Sequence, residues 1–264
     1  MHLDLWHVDA FANHPFAGNP AAVCLLDSWL DDGLLRSVAE ENNLSATAYL
    51  VRQHDEYHLR WFTPQCEIKL CGHATLATGF LVLNILHPSR DTVRFETRFS
   101  GPLTVRREGS LFAMDFPAFS PRPCLNPPQN LLHALGMDAP PMAVFEANST
   151  YFVVCDSEDA VQKLHPNLAL IEKLHPFVVA VTAPGENCDF VSRYFAPSYG
   201  VPEDPVTGSA HCALAPYWAQ RLGKTQFHAH QVGSRGGELW CEISGERVAI
   251  KGNAVLTLQG SLLL

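Results

Sequence analysis

Two short stretches carry the residue types that chemistry needs, and they share one plan. Residues 60–77 read RWFTPQCEIKLCGHATLA and residues 193–214 read RYFAPSYGVPEDPVTGSAHCAL. Each opens Arg-aromatic-Phe-small-Pro and runs to a Gly that begins a small apolar helix. The first turn is Cys71-Gly72-His73-Ala74-Thr75 and the second is Thr207-Gly208-Ser209-Ala210-His211, after a loop three residues longer. Proline has no N–H to continue a ladder, so each pentapeptide ends a strand. At the helix start that follows, the first backbone N–H groups have no intrahelical partner and the dipole favours negative charge. Such a turn is a seat for an anion. Two seats in one chain point to duplication and to helix N-termini that serve a single acidic ligand.

By residue type alone, His73 can shuttle protons near neutrality or merely occupy a helix N-terminus. Asp204 can orient an amine or imidazole, or be an ordinary turn carboxylate before Pro205. Cys71 stands where a thiol pKa falls and is read as a wall of the site rather than a nucleophile. A Cys71–His73 dyad is not expected, since residues two apart on a helix do not face each other.

The elements that must position these groups are short. Strands are expected at 3–11, 21–26, 45–51 and 56–62, with a helix at 31–41 capped by Asp27-Ser28 and stopped by Asn42-Asn43. A helix at 74–86 ends before Pro88, and 92–96, 101–107 and 111–116 form a meander. Residues 117–128 hold five prolines and make the best linker. Beyond them come a helix at 131–135, a strand at 151–155 and a helix at 159–170 broken near Pro166. Strands at 177–182 and 190–195, a helix at 210–221, and strands at 231–243 and 246–258 complete the chain. Each half has several strands, mostly antiparallel by their close spacing, around one apolar helix. A helix apolar on most faces, such as 74–86, is well buried inside a curled sheet. The fold class is therefore α+β, two similar lobes with a cleft.

Composition narrows the function classes. The 264 residues are 47% hydrophobic and 17% charged, which suits one large domain or two ordinary ones. The net charge is −9 without a basic run, so no nucleic-acid partner is expected. The N-terminus lacks the basic and apolar segments of a signal peptide, and no window is long and apolar enough to span a membrane. A cytoplasmic protein is expected. The eight Cys are scattered and read as free thiols, and the thirteen His show no HExxH or zinc-type spacing, so no metal is expected.

The combination GNPAAV (18–23), ENNLSATAYL (41–50), RWFTP…LCGHATLA (60–77), RYFAP…EDPVTGSAH (193–211) and KGNAVL (251–256) resembles the PhzF-like phenazine-biosynthesis family. The resemblance runs from Val8 to the end. That family is related in fold to diaminopimelate epimerase. It implies two pseudo-symmetric lobes, each a curled, mixed, mostly antiparallel sheet around a central helix. Here these would be 1–117 with 253–264, the last strand returning to the first lobe, and 118–252. It also implies a site that needs no cofactor, usually a homodimer, and a small carboxylate substrate.

The resemblance assigns substrate contact and proton movement to His73 and Asp204. Gly72, Gly208, Ser209 and Ala210 would present N–H groups to a substrate carboxylate, with the Ser209 hydroxyl adding a donor. Asn19, Ser45, Ala46 and Cys71 complete the binding set. The cofactor-independent epimerases oppose two cysteines, but Thr207 stands opposite Cys71 in this pattern, which argues against a two-thiol mechanism. The family's catalytic Glu lies in a Ser-Glu-Thr motif that reads Ser45-Ala46-Thr47 here. Glu40 and Glu41 lie nearby and read as solvated. The expected function is cofactor-independent isomerisation or epimerisation of a small carboxylate- and amine-bearing metabolite. The alternative, set by Ala46, is a ligand-binding relative that has lost the chemistry, or a Glu→Ala variant.

Overall fold

The computed structural model describes residues 2–54, 56–137 and 139–264. Met1, where the first expected lobe begins, lies outside them. The chain divides into two compact units, Met1–Asp115 with Lys251–Leu264, and Phe116–Ile250.

The first unit contains β1 (His2–Ala10), β2 (Asn19–Leu26), α1 (Asp32–Asn42), β3 (Ala46–Gln53), β4 (Glu56–Phe62) and β5 (Glu67–Ile68). There follow α2 (Gly72–Leu81), β6 (Thr92–Thr97), β7 (Leu103–Glu108) and β8 (Leu111–Pro117), on which the chain leaves the unit. The second unit opens with β9 (Arg122–Pro123), α3 (Leu131–Leu135), β10 (Ala143–Ala147), β11 (Thr150–Val154), α4 (Glu158–Gln162) and α5 (Leu168–Glu172). It continues through β12 (Val178–Pro184), β13 (Phe190–Ala196), β14 (Val201–Asp204), α6 (Gly208–Leu222), β15 (Gln226–Gln231) and β16 (Gly237–Ser244). The chain ends in β17 (Arg247–Gly252) and β18 (Ala254–Leu263).

The duplication read from the two pentapeptides extends to the ladders. In the first unit, β1–β2 is antiparallel, β2–β3 parallel, β3–β4 antiparallel, β4–β6 parallel and β6–β7 antiparallel. The same alternation recurs in the second along β10, β11, β12, β13, β15 and β16. β18 returns to pair antiparallel with β1. Each unit is thus a mixed sheet around one helix, the expected α+β fold.

α2 is apolar on nearly every face and touches β1, β2, β3, β7 and β18, so the sheet surrounds it. Close approach to β7 requires Gly79, because a Cβ there would meet all three side-chain carbons of Val105 within 2.8 Å. The helix expected at 74–86 is α only to Leu81, and Val82–Leu86 continue as a π-helical turn. The His87 N–H reaches back to the Val82 carbonyl at 2.7 Å, and Arg107 donates to the Leu83 carbonyl. A second apolar layer covers the outside of this sheet, where Leu35, Val38 and Ala39 of α1 pack on Leu3, Cys24, Tyr49 and Phe62. The N-cap of α1 is Asp31, whose Oδ1 accepts from the Gly33 N–H at 2.8 Å, rather than Asp27-Ser28.

In the second unit α6 is the central helix. Tyr217 stacks on Phe145 of β10, Trp218 stacks on Phe190 of β13, and the Trp218 indole N–H donates to Thr182 Oγ1 of β12. Pro216 lies inside α6 and cannot donate to the Cys212 carbonyl four residues back. The Phe119 N–H takes that acceptor at 2.9 Å. The proline-rich stretch is therefore stitched down rather than a free linker, since Arg122-Pro123 also pairs with Phe145-Glu146.

Other differences concern strands whose sequence is polar or interrupted. The strand expected at 231–243 is β16 preceded by a turn over 232–236, and β15, just before it, was not expected. β15 (QFHAHQ) hides its apolar face behind two histidines and a glutamine. The strand expected at 246–258 breaks at Asn253, between β17 and β18. The helix at 159–170 is two single-turn helices, α4 and α5. β10 was not expected, because five residues beside a proline pair give too little periodicity.

Replacing Gly79 with Ala should destabilise the protein by about 1–3 kcal/mol, since the added methyl overpacks against Val105. Chemical denaturation should show the loss, and Gly79→Ala/Val105→Ala should recover part of it.

Candidate functional site

Both Gly turns are held by one device. Arg60, first residue of the first pentapeptide, grips Glu67 with Nε to Oε1 at 2.7 Å and Nη2 to Oε2 at 2.8 Å. Arg193 grips Glu203 in the same way, at 2.8 and 3.0 Å. Each guanidinium also lies over the Phe two residues on, 5.1 Å from Phe62 and 5.0 Å from Phe195. Glu67 precedes Gly72 by five residues, and Glu203 precedes Gly208 by five. The three extra residues of the second loop therefore lie before the clamp, and both turns leave it at the same distance. The pairs β4–β5 and β13–β14 are the strands that these clamps join.

In the first unit, Ser45 gathers most of the expected residues. Its hydroxyl lies 2.7 Å from Asn19 Oδ1, 2.9 Å from the Pro20 carbonyl and 3.1 Å from His73 Nε2. A hydroxyl has one proton, and the two oxygens are the nearer acceptors. His73 Nε2 is then the donor to Ser45, and Nδ1 carries the lone pair. Asn19 is fully buried and placed by Gly18, whose φ of +65° suits glycine and whose missing Cβ avoids the Ala10 carbonyl.

Cys71 Sγ lies 3.5 Å from His73 Nδ1 and 3.8 Å from Nε2, so the two side chains do meet. This corrects the helix-spacing argument against the pair. Cys71 is the N-cap, with φ −140° and ψ 104°, and its extended backbone swings the thiol over the ring. Part of the His73 surface reaches solvent, yet lost hydration pushes its pKa down to about 4. The ring is neutral at pH 7. Ala46, beside Ser45, is fully buried and contributes only a methyl group. A Cβ at Gly72 would meet nothing within 4 Å, so the space beside this turn is open. Glu40 and Glu41 are exposed at the end of α1.

In the second unit, the Thr207 hydroxyl donates to Asp204 Oδ2 at 2.5 Å. Gln231 of β15 braces both residues. Its Oε1 accepts the Thr207 N–H at 2.9 Å and its Nε2 donates to the Asp204 carbonyl at 2.6 Å. Thr207 gives α6 no side-chain cap, so the Gly208 and Ser209 N–H groups begin the helix without one. Ser209 is exposed, whereas Gly208 and Ala210 are buried. Gln231 was missed by sequence reasoning; a lone Gln at a strand end carries no motif. His211 is fully buried, donates from Nδ1 to the Thr207 carbonyl at 2.9 Å, and has its pKa pushed down to about 4 by burial. His228 and His230 of β15, with Glu238 of β16, form a three-residue group of metal-ligand type that a search for zinc spacing overlooked.

Two outcomes follow. Arg193→Met should cost about 2–3 kcal/mol, because it strands the part-buried Glu203 charge, and Arg193→Met/Glu203→Met should restore most of that in denaturant titrations. His211 binds its proton less well folded than unfolded, where its pKa is near 6.5. The unfolded chain therefore binds more protons between those values, and stability falls as pH drops from about 6.5 to about 4. On the order of 3 kcal/mol is at stake in His211. His211→Gln should remove His211's share of that slope and leave the share of His73, whose pKa is lowered to the same extent.

The comparisons with known proteins agree with this geometry. The pattern of the family described as phenazine biosynthesis-like protein, PhzC-PhzF, matches residues 8–260. A Pseudomonas aeruginosa protein named an uncharacterized isomerase is 54% identical over 262 residues, 99% of each chain. A crystal structure of a PhzF-family phenazine biosynthesis protein from Enterococcus faecalis superposes over 100% of both chains, with a TM-score of 0.95 and 42% identity. Likeness of fold alone extends to a hydroxyproline epimerase from Agrobacterium vitis, with a TM-score of 0.61 at 10% identity over 99% of this chain and 92% of that one. With matched clamps, matched turns and a match over nearly its whole length, the chain belongs to the PhzC-PhzF phenazine biosynthesis-like family.

Proposed function

We propose that the chain is a cofactor-independent isomerase that moves a proton on a small carboxylate- and amine-bearing metabolite, with His73 as the proton carrier. One observation carries this reading: a neutral imidazole fixed at a Gly turn by Ser45 on Nε2, leaving Nδ1 as the accepting nitrogen. The names of relatives support isomerisation as the reaction class. A substrate carboxylate seated on the N–H groups at the Gly72 turn would add negative charge near the ring, and Gly208, Ser209 and Ala210 present the corresponding N–H groups at the turn of the second unit. That charge raises the His73 pKa toward neutrality, where proton transfer in both directions is efficient. Asp204, oriented by the Thr207 hydroxyl, is the second acid–base group and the counter-charge for a substrate amine. Asn19 orients Ser45, while Ala46 and Cys71 shape the wall. The two units serve as the epimerase-like lobes, and the working form is a cytoplasmic homodimer. Among the described residues no helix is long and apolar enough to cross a membrane.

Ala46 favours a second reading. Its buried methyl occupies the family's proton-carrying position, so the scaffold would bind the ligand without converting it.

Deuterium uptake from heavy water, read by mass spectrometry, separates the two. The substrates are the dihydro-hydroxyanthranilate of the resembled family and a panel of small amino and hydroxy acids. The unaltered protein should label one of them, and His73→Gln should slow labelling by about 10²–10⁴-fold. The Asp204→Asn protein should also be slowed. Because His73 is neutral in the free protein, kcat/KM for uptake should hold below pH 6 and fall only as pH approaches about 4, whereas kcat should fall nearer neutrality, where the bound carboxylate has raised the pKa. Labelling only after Ala46→Glu would replace the isomerase reading with the binding one. Silence from both proteins, with calorimetric binding of the same compounds, would do so too.

A further inference from the structure

We infer that His228, His230 and Glu238 form a binding site for a divalent transition-metal ion on the β15–β16 hairpin. The strand period places His228 and His230 on one face of β15, both half-buried, while Phe227, Ala229 and Gln231 turn to the buried face. Glu238 stands directly opposite His230 in the ladder, and Trp240 opposite His228. The three ligand atoms therefore converge from neighbouring strands whose spacing the backbone bonds already fix.

The separations suit a metal. His228 Nε2 and His230 Nε2 are 3.2 Å apart, and His230 Nε2 is 3.5 Å from Glu238 Oε1. Two ligand atoms at ordinary zinc distances in tetrahedral array lie about 3.3–3.5 Å apart. All three ligand atoms lie within 4.8 Å of one another, and rotation of the half-exposed Glu238 side chain closes the remaining edge. The rings stand at 84° with centroids 4.6 Å apart. Stacking on Trp240, 4.9 Å away and 14° from parallel, fixes the His228 ring, and its backbone N–H is held by Asp189 Oδ2 at 2.8 Å. Preset rings lower the ordering cost of binding. Two imidazoles and a carboxylate favour zinc-like ions over calcium or magnesium, and three protein ligands leave a place for water. The ion clips β15 to β16 outside the ladder, next to Gln231, which braces Thr207 and Asp204 from the other face of the same strand.

The test is titration of chelator-stripped, full-length protein with Zn²⁺ by calorimetry, and with Cu²⁺ by tryptophan fluorescence. One Zn²⁺ equivalent should bind and raise the melting temperature. His230→Ala and Glu238→Gln should weaken that binding at least about tenfold, while Cys66→Ser, which removes an exposed thiol, should leave it unchanged. Cu²⁺ should quench a component of emission that Trp240→Phe lacks. Equal Zn²⁺ affinity in His230→Ala, or loss of binding in Cys66→Ser, would overturn the site. The cluster would then be a His–His hydrogen bond beside an ion pair.

Discussion

The structure depends on a forked guanidinium–carboxylate pair used twice. Arg60 with Glu67 and Arg193 with Glu203 each close the loop between a strand that must end at proline and a helix that must begin at glycine. The charges are mostly withdrawn from water, with 9% and 15% exposure in the first pair and 11% and 27% in the second. A lone charge there would be costly, and a two-bond fork fixes orientation as well as distance. Five residues beyond each Glu, the helix start has nowhere else to go. The extra length of the second loop lies on the far side of the clamp and leaves the turn unmoved.

From that shared frame the two turns diverge in chemistry. The first presents a thiol and a neutral imidazole, tuned by lost hydration and held by a serine that also bonds a buried asparagine. The second presents a carboxylate and a hydroxyl, held by a glutamine from a neighbouring strand. The two backbone frames are equivalent, and their side chains make them unlike. The first turn also shows how far a cap residue departs from helical rules. Cys71 and His73 touch because only one of them is in the helix.

Burial is the common cause behind the site's unusual groups. His73 and His211 lose hydration and stay neutral where a solvated histidine is half charged. Pro216 leaves one α6 carbonyl without its helical donor, and the proline-rich stretch at 117–128 supplies the missing N–H from Phe119. Local irregularities of sequence are thus answered by long-range bonds rather than tolerated as gaps.

The amino-acid order by itself determined the duplicated plan, the two central helices and the placement of Cys71, His73 and Asp204 at the two Gly turns, while Asn19 and Ser45 came from the resemblance to the family. These are matters of local spacing, of glycine and proline punctuation, and of apolar runs, all read along the chain. Tertiary structure alone decided the rest. The Arg–Glu clamps and the Gln231 brace join residues that are 7 to 27 apart, and Glu238 meets the His228–His230 pair from the next strand, eight and ten residues on. Sequence spacing cannot show which side of a strand a partner faces once the pairing register is unknown. The polar strand β15 escaped for the same reason. Its histidines look like loop residues until a neighbouring strand supplies the glutamate and the tryptophan opposite them.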